Sequence, residues 1–122
     1  MIKTKAIDHV VLWVRSLAEA REYYERVFGF NCTPRPGDDN TLVVESEAVH
    51  FFISQSEGMD AFIAKQHISF EVDTLEMVIT SLKELGVTDF EVGRVNLFKH
   101  KNYKWCEWRD PSGIRIECVE VL

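Results

Sequence analysis

Two stretches of the chain repeat one pattern of apolar and polar positions. HVVLWV at 9–14 and HISFEV at 67–72 both open on histidine and run as short apolar strands, 58 residues apart. Ser16 and Thr74 keep that offset, as do Leu17 and Leu75. Leu17, Ala20, Tyr24 and Val27 recur at three- and four-residue steps, and so do Leu75, Val78, Ile79, Leu82 and Leu85. That spacing predicts two amphipathic helices, each with one face to lay on a sheet. Ser16 with Glu19, and Asp73 with Glu76, have the spacing of a capping box. Gly29 and Gly86 stand where a left-handed residue would end each helix. Strands are then expected at 30–33, 41–45 and 49–54 in the first half. In the second they are expected at 90–98, 103–109 and 114–121, the last two joined by the Asp110-Pro111-Ser112-Gly113 turn. Residues 55–66 read as a linker. Each half is thus β-α-β-β-β, an internal duplication within one domain over 1–122, with module 1 about 6–55 and module 2 about 66–122.

One helix covers one face of each four-stranded sheet. The expected class is α+β, with the two bare sheet faces turned toward each other around a central cleft. Strand parity then selects residues. His9, Val11 and Trp13 share a face opposite Val10, Leu12 and Val14. His67, Ser69 and Glu71 oppose Ile68, Phe70 and Val72, and Glu117 opposes Ile116 and Cys118. Aligning 49–51 with 116–118 sets His50 beside Glu117, so the duplication offers four candidate metal ligands: His9, His50, His67 and Glu117. Imidazole and carboxylate donors in this mix suit Zn, Ni, Co, Mn or Fe(II). Trp13, Phe52, Tyr103 and Trp105 fall on the same faces, as core or as the walls of an apolar pocket. Parity also turns Glu107 toward the face of Glu117, either as a proton shuttle or as a rim carboxylate paired with Arg115 or Lys104. Arg109 and Arg115 read as rim charges and His100 as a solvated loop residue.

Composition narrows the field. The chain has 122 residues, 46% hydrophobic and 28% charged, with a formal net charge of −6. An acidic domain without a basic face is a poor partner for nucleic acid. No apolar run approaches the about 20 residues of a membrane helix, and the N-terminus lacks the form of a signal peptide. Cys32, Cys106 and Cys118 are odd in number and show no CxxC spacing. They read as reduced thiols of a cytoplasmic protein, with no base placed beside them to make a nucleophile.

The segments IDHVVLWV (7–14), AREYYERVFGF (20–30) and WRDPSGIRIE (108–117) resemble the opening and closing motifs of the vicinal oxygen chelate superfamily. Its members include glyoxalase I, bleomycin resistance proteins, fosfomycin-modifying thiol transferases, methylmalonyl-CoA epimerase and extradiol dioxygenases. The resemblance implies paired modules forming a U-shaped mixed sheet around one divalent metal, ligand roles for His9, His67 and Glu117, and a homodimer. The glyoxalase-type fourth ligand would fall on His50, where relatives more often carry Glu or Gln. Bleomycin-binding members lack the ligands that this chain keeps, which favours an enzyme.

The expected function is a metal-dependent lyase or isomerase of glyoxalase type. Its substrate would be a small molecule chelated through vicinal oxygens, with Glu117 and Glu107 as the catalytic carboxylates and glutathione as the co-substrate thiol. Arg35, Arg94 and Lys101 are the candidates for holding glutathione carboxylates. The alternatives are a non-catalytic small-molecule or antibiotic-binding module, fosfomycin thiol transfer, epimerisation and ring-cleaving dioxygenation. Two of these fit less well: extradiol dioxygenases usually carry four modules, and the Thr that fosfomycin enzymes place two residues after the first His is Val11 here.

Overall fold

A computed structural model describes residues 1–97 and 101–122, so His100 lies outside the described residues. The fold is α+β and consists of two compact units, Met1–Ile63 and Ala64–Leu122. In the first, β1 (Val11–Val14) leads through α1 (Leu17–Phe28) to β2 (Asn31–Arg35), β3 (Asp38–Glu45) and β4 (His50–Gln55). A short helix, α2 (Asp60–Ile63), occupies the expected linker. In the second, β5 (His67–Glu71) leads through α3 (Leu75–Glu84) to β6 (Glu91–Val95), β7 (Tyr103–Arg109) and β8 (Arg115–Val121). The sheets run β1-β4-β3-β2 and β5-β8-β7-β6, each with its first strand parallel to its last and the other pairs antiparallel. The duplicated β-α-β-β-β pattern is therefore present in both halves.

The local signals act mostly as expected. Ser16 accepts from the Glu19 amide and Gly29 ends α1 at φ 67°. Two details differ. The cap of α3 is Thr74, which accepts from the Met77 amide, rather than Asp73; the hydroxyl at the duplicated position wins over the carboxylate one residue earlier. Gly86 takes φ 79° one residue beyond the Leu85 cap. Strand β6 ends at Val95, short of the expected 98, and Pro34 is tolerated within β2 because that strand lies at the sheet edge beside a register shift. The closing turn is held by Asp110, only 6% exposed, whose Oδ1 accepts from the amides of Ser112 and Ile114. Arg109 donates to the carbonyls of Gly113 and Ala64 and ties the turn down from outside.

Each helix covers one sheet face. In the first unit Leu12, Val14, Cys32, Leu42, Val44, Phe51 and Ile53 are buried on that face, with the Tyr24 ring of α1 6.2 Å from Phe51. In the second, Phe70, Cys106, Trp108, Ile116 and Cys118 are buried with Leu75, Val78 and Leu82 of α3. Cys106 and Cys118 are opposite each other across β7 and β8. Burial pushes the thiols of Cys32 and Cys106 up to about 11 and that of Cys118 up to about 12, so none is a thiolate near neutrality.

The two units share one further device. The first amide of α1, on Leu17, donates to the side chain of Gln55 at the end of β4 (2.8 Å). The first amide of α3, on Leu75, donates to Glu120 near the end of β8 (2.9 Å). Each clamp satisfies a helix-terminal donor and fixes the last strand against the helix start. The amide of Leu75 and the nearby Lys104 ammonium hold the Glu120 carboxyl below its ordinary range. A carboxyl lowered in the fold stabilises it above the unfolded value and loses that contribution as pH falls through the folded one. Glu120→Gln, which keeps an acceptor as Gln55 does but not the charge, should lower stability near pH 7, approach wild type at low pH and so flatten the acid side of the stability curve. Glu120→Ala should lower the thermal midpoint at both, as followed by circular dichroism.

Candidate functional site

The face of each sheet away from its helix carries the candidate residues. In the first unit, β1 and β4 pair Val11 with Phe52 and Trp13 with Ser54, and β3 sets Val43 opposite Phe52. His50 precedes Phe52 by two residues and His9 precedes Val11 by two, so both histidines flank Phe52 on its face. The His9 ring lies 4.5 Å from Phe52 and 6.3 Å from His50, centroid to centroid, and His50 lies 5.4 Å from Phe52. The Arg35 guanidinium covers the Phe52 ring at 5.2 Å. His9 Nδ1 is 2.7 Å from Asp8 Oδ2, and this bond holds the Asp8 carboxyl below its ordinary range. With Nδ1 donating to a carboxylate, Nε2 is left as a lone-pair donor, the arrangement that metal-ligating imidazoles adopt.

In the second unit one row crosses four strands: Ser69, Glu117, Glu107 and Glu91 stand opposite one another on β5, β8, β7 and β6. His67 and Arg115 form the adjacent pair. His67 Nε2 is 3.7 Å from Glu117 Oε1. That is too long for a hydrogen bond and close to the about 3.4 Å between two ligands of a tetrahedral ion with bonds of about 2.1 Å. Ser69 Oγ donates to the same Oε1 at 2.7 Å, orienting the carboxylate. Arg115 Nε lies 2.6 Å from His67 Nδ1 and 3.6 Å from Glu107 Oε2. The donor chemistry of both clusters fits a divalent ion. Among the described residues, neither unit by itself gathers three metal-ligating side chains.

The pairing register corrects one alignment. Phe52, opposite Val11, corresponds to Glu117, opposite Ser69, because Val11 and Ser69 keep the 58-residue offset. Phe52 and Glu117 are 65 residues apart, as are the two clamp residues Gln55 and Glu120. The duplicate of Glu117 is therefore Phe52, and the duplicate of His50 is Arg115. The three-residue match of 49–51 with 116–118 was displaced by two, one full strand repeat, which keeps the face and changes the neighbour.

Sequence reasoning placed Glu107 on the face of Glu117, and the pairing register sets the two directly opposite. It missed Asp8 and Ser69 as partners of the ligand candidates, and it read Arg115 as a rim charge although that residue reaches His67. The order Asp8-His9 was the available signal for the first. Of the three basic candidates, Arg35 joins the histidine cluster, while Arg94 donates to Asn96 and Lys101 pairs with Glu71. A cleft of about 480 Å³, lined by Asp89, Glu91, Glu107, Arg109 and Arg115 among others, adjoins the second cluster.

The family model for the glyoxalase/bleomycin resistance protein/dioxygenase superfamily matches residues 6–118. The chain belongs to that superfamily. Solved structures agree in fold. An integron cassette protein of V. Pseudocholerae shows 21% identity and a TM-score of 0.78, with 98% of this chain and 97% of that one covered. A glyoxalase family protein from Bacillus anthracis shows 21% identity and 0.75 over 100% and 99%. A bleomycin-binding protein in complex with bleomycin shows 16% and 0.72 over 95% and 98%. No curated protein matches the chain. Among the described residues no helix is long and apolar enough to cross a membrane.

Trp105 walls the same face in this superfamily member. Its indole lies across Gly93, its cross-strand partner, where any Cβ would collide with the ring. Gly93→Ala should displace the indole and destabilise the fold by about 1–3 kcal/mol, the range for overpacking, as read from intrinsic fluorescence and denaturant titration.

Proposed function

We propose that the protein is a metal-dependent enzyme of glyoxalase type. It acts on a small substrate carrying two adjacent oxygens, with one divalent ion per chain held by His9, His67 and Glu117. The observation that supports this most is the nearness of His67 Nε2 and Glu117 Oε1, 3.7 Å apart on one sheet face. The matching position of the other unit carries His9 with its Nδ1 already bonded to Asp8. Two imidazoles and one carboxylate leave coordination positions for substrate oxygens. Phe52, not His50, is the register counterpart of Glu117, so His50 is assigned to the rim of this site rather than to the first three ligands.

When bound, the ion supplies Lewis-acid stabilisation of negative charge on the chelated oxygens. The chain supplies the rest. Ser69 orients Glu117, Trp105 and Phe52 provide apolar walls, and Glu107 stands beside Glu117 to move a proton on the neighbouring carbon. The thiol adduct of glutathione with a 2-oxoaldehyde is the first substrate to assay. The working assembly is a homodimer in a cytoplasmic setting, since each sheet presents one face without a helix and two-fold pairing is the common solution.

Metal analysis of untagged protein should show one divalent ion per chain, lost in the double variant His67→Ala, Glu117→Ala. Stoichiometric metal in that variant would remove the site. Glu107→Gln should keep the metal and lower the rate on the glutathione–methylglyoxal adduct by about 10²–10⁴. Wild-type protein with metal and no turnover of any chelating substrate would favour the rival reading, a binding module, to which the bleomycin-binding relative lends support. Sedimentation that shows only single chains at tens of micromolar, a rough working range for tight dimers, would remove the assembly.

A further inference from the structure

The ladder between β7 and β8 sets two arginines against each other. The Asp110 amide donates to the Ile114 carbonyl, and the Leu122 amide donates to the Asn102 carbonyl. Opposed residues of an antiparallel pair alternate between hydrogen-bonded and non-hydrogen-bonded positions. Arg109 and Arg115, which are directly opposed, therefore form a non-hydrogen-bonded pair, the kind whose side chains lie closer together. Like charges so placed are destabilising. Their partners use only part of each guanidinium. Arg109 donates from Nη1 to the carbonyls of Ala64 and Gly113, and Arg115 Nε lies against His67, with Glu107 Oε2 3.6 Å away. The remaining donors of both make no hydrogen bond with a described residue.

Both arginines line the cleft of about 480 Å³, and the carboxylates of Asp89, Glu91 and Glu107 line it with them. Glu91 stands directly opposite Glu107, and Asp89 precedes it by two residues. The side chains of Asp89 and Glu91 make no hydrogen bond or ion pair with another described residue. A purely anionic ligand would suit the arginines and be repelled by the carboxylates. A purely cationic one would suit the carboxylates and be repelled by the arginines. A ligand with an ammonium and a carboxylate on neighbouring atoms meets both groups with the opposite charge. Val87 and Phe90, half-buried at the cleft, offer a wall to an apolar side chain.

We propose that this cleft is a recognition site for an α-amino-acid group. Arg109 and Arg115 hold its carboxylate between them through charge-assisted hydrogen bonds, and Glu91 with Asp89 receives its ammonium. The bound carboxylate relieves the repulsion between the paired guanidiniums. The proposal deepens the function proposed above by naming the charged end of the substrate. Recognition here needs no bound ion, so the site and the metal assignment stand or fall separately.

The experiment is NMR titration of the isotope-labelled full chain with L-leucine and with its two single-charge analogues, 4-methylpentanoate and 3-methylbutylamine. Leucine at about 10 mM or below should shift the amide signals of residues 86–91 and the Nε–H signals of Arg109 and Arg115. Each analogue should bind about tenfold more weakly, the scale of one hydrogen bond to a charged group. The double variant Asp89→Asn, Glu91→Gln should bring leucine down to the affinity of 4-methylpentanoate. Arg115→Gln should bring it down to that of 3-methylbutylamine, with folding of both variants checked by circular dichroism. No shift with leucine, or shifts confined to residues outside the cleft, overturns the site. Equal binding of leucine and either analogue to wild type overturns it as well, and that comparison does not depend on any variant folding. A preference for leucine that survives in both variants removes these residues from its recognition.

Discussion

Strand register is the constraint on which the rest of this structure depends. In each unit the first strand lies parallel against the last, and a side chain near the end of that last strand grips the first amide of the helix. Gln55 does this for Leu17 and Glu120 does it for Leu75. A slip of one residue would turn the buried aliphatic row outward. A slip of two would keep the faces and break the clamp. The clamp therefore supplies what hydrophobic alternation alone does not, a choice among registers that all bury the same face.

That choice determines the chemistry. It sets Ser69, Glu117 and Glu107 in one row and His67 with Arg115 in the next. It also makes the corresponding row of the first unit Val11, Phe52 and Val43, which is apolar. The duplicated units thus differ in the chemistry of their side chains. One offers an imidazole backed by a carboxylate beside an aromatic ring. The other offers an imidazole, two carboxylates and a guanidinium. A single histidine in each unit keeps the duplicated position, while their surroundings have diverged, as expected where one scaffold hosts many activities.

The Gly93–Trp105 pair and the Asp110 turn show how the apolar walls and the closing motif are held. Trp105 lies flat because its partner has no side chain. Asp110 is buried at the turn because its carboxylate satisfies two amides that would otherwise be unpaired. Both are structural requirements that position functional neighbours, the aromatic wall in one case and the start of β8, with Arg115 and Glu117, in the other.

By itself the sequence determined the duplicated β-α-β-β-β plan, the helix ends at Ser16 and Gly29, the buried cysteines and the faces of His9, His67, Glu107 and Glu117. All of these follow from local periodicity, capping chemistry and strand parity. Only the tertiary structure decided that Phe52, not His50, is the counterpart of Glu117. The reason is that parity repeats every two residues, and only the cross-strand pairing and the helix clamp tell one repeat from the next. It likewise decided that His9 meets an acceptor and His67 a donor. Asp8 is next to His9 in the chain, but Arg115 comes to His67 across 48 residues through the parallel pairing of β5 with β8, a contact that no local pattern encodes.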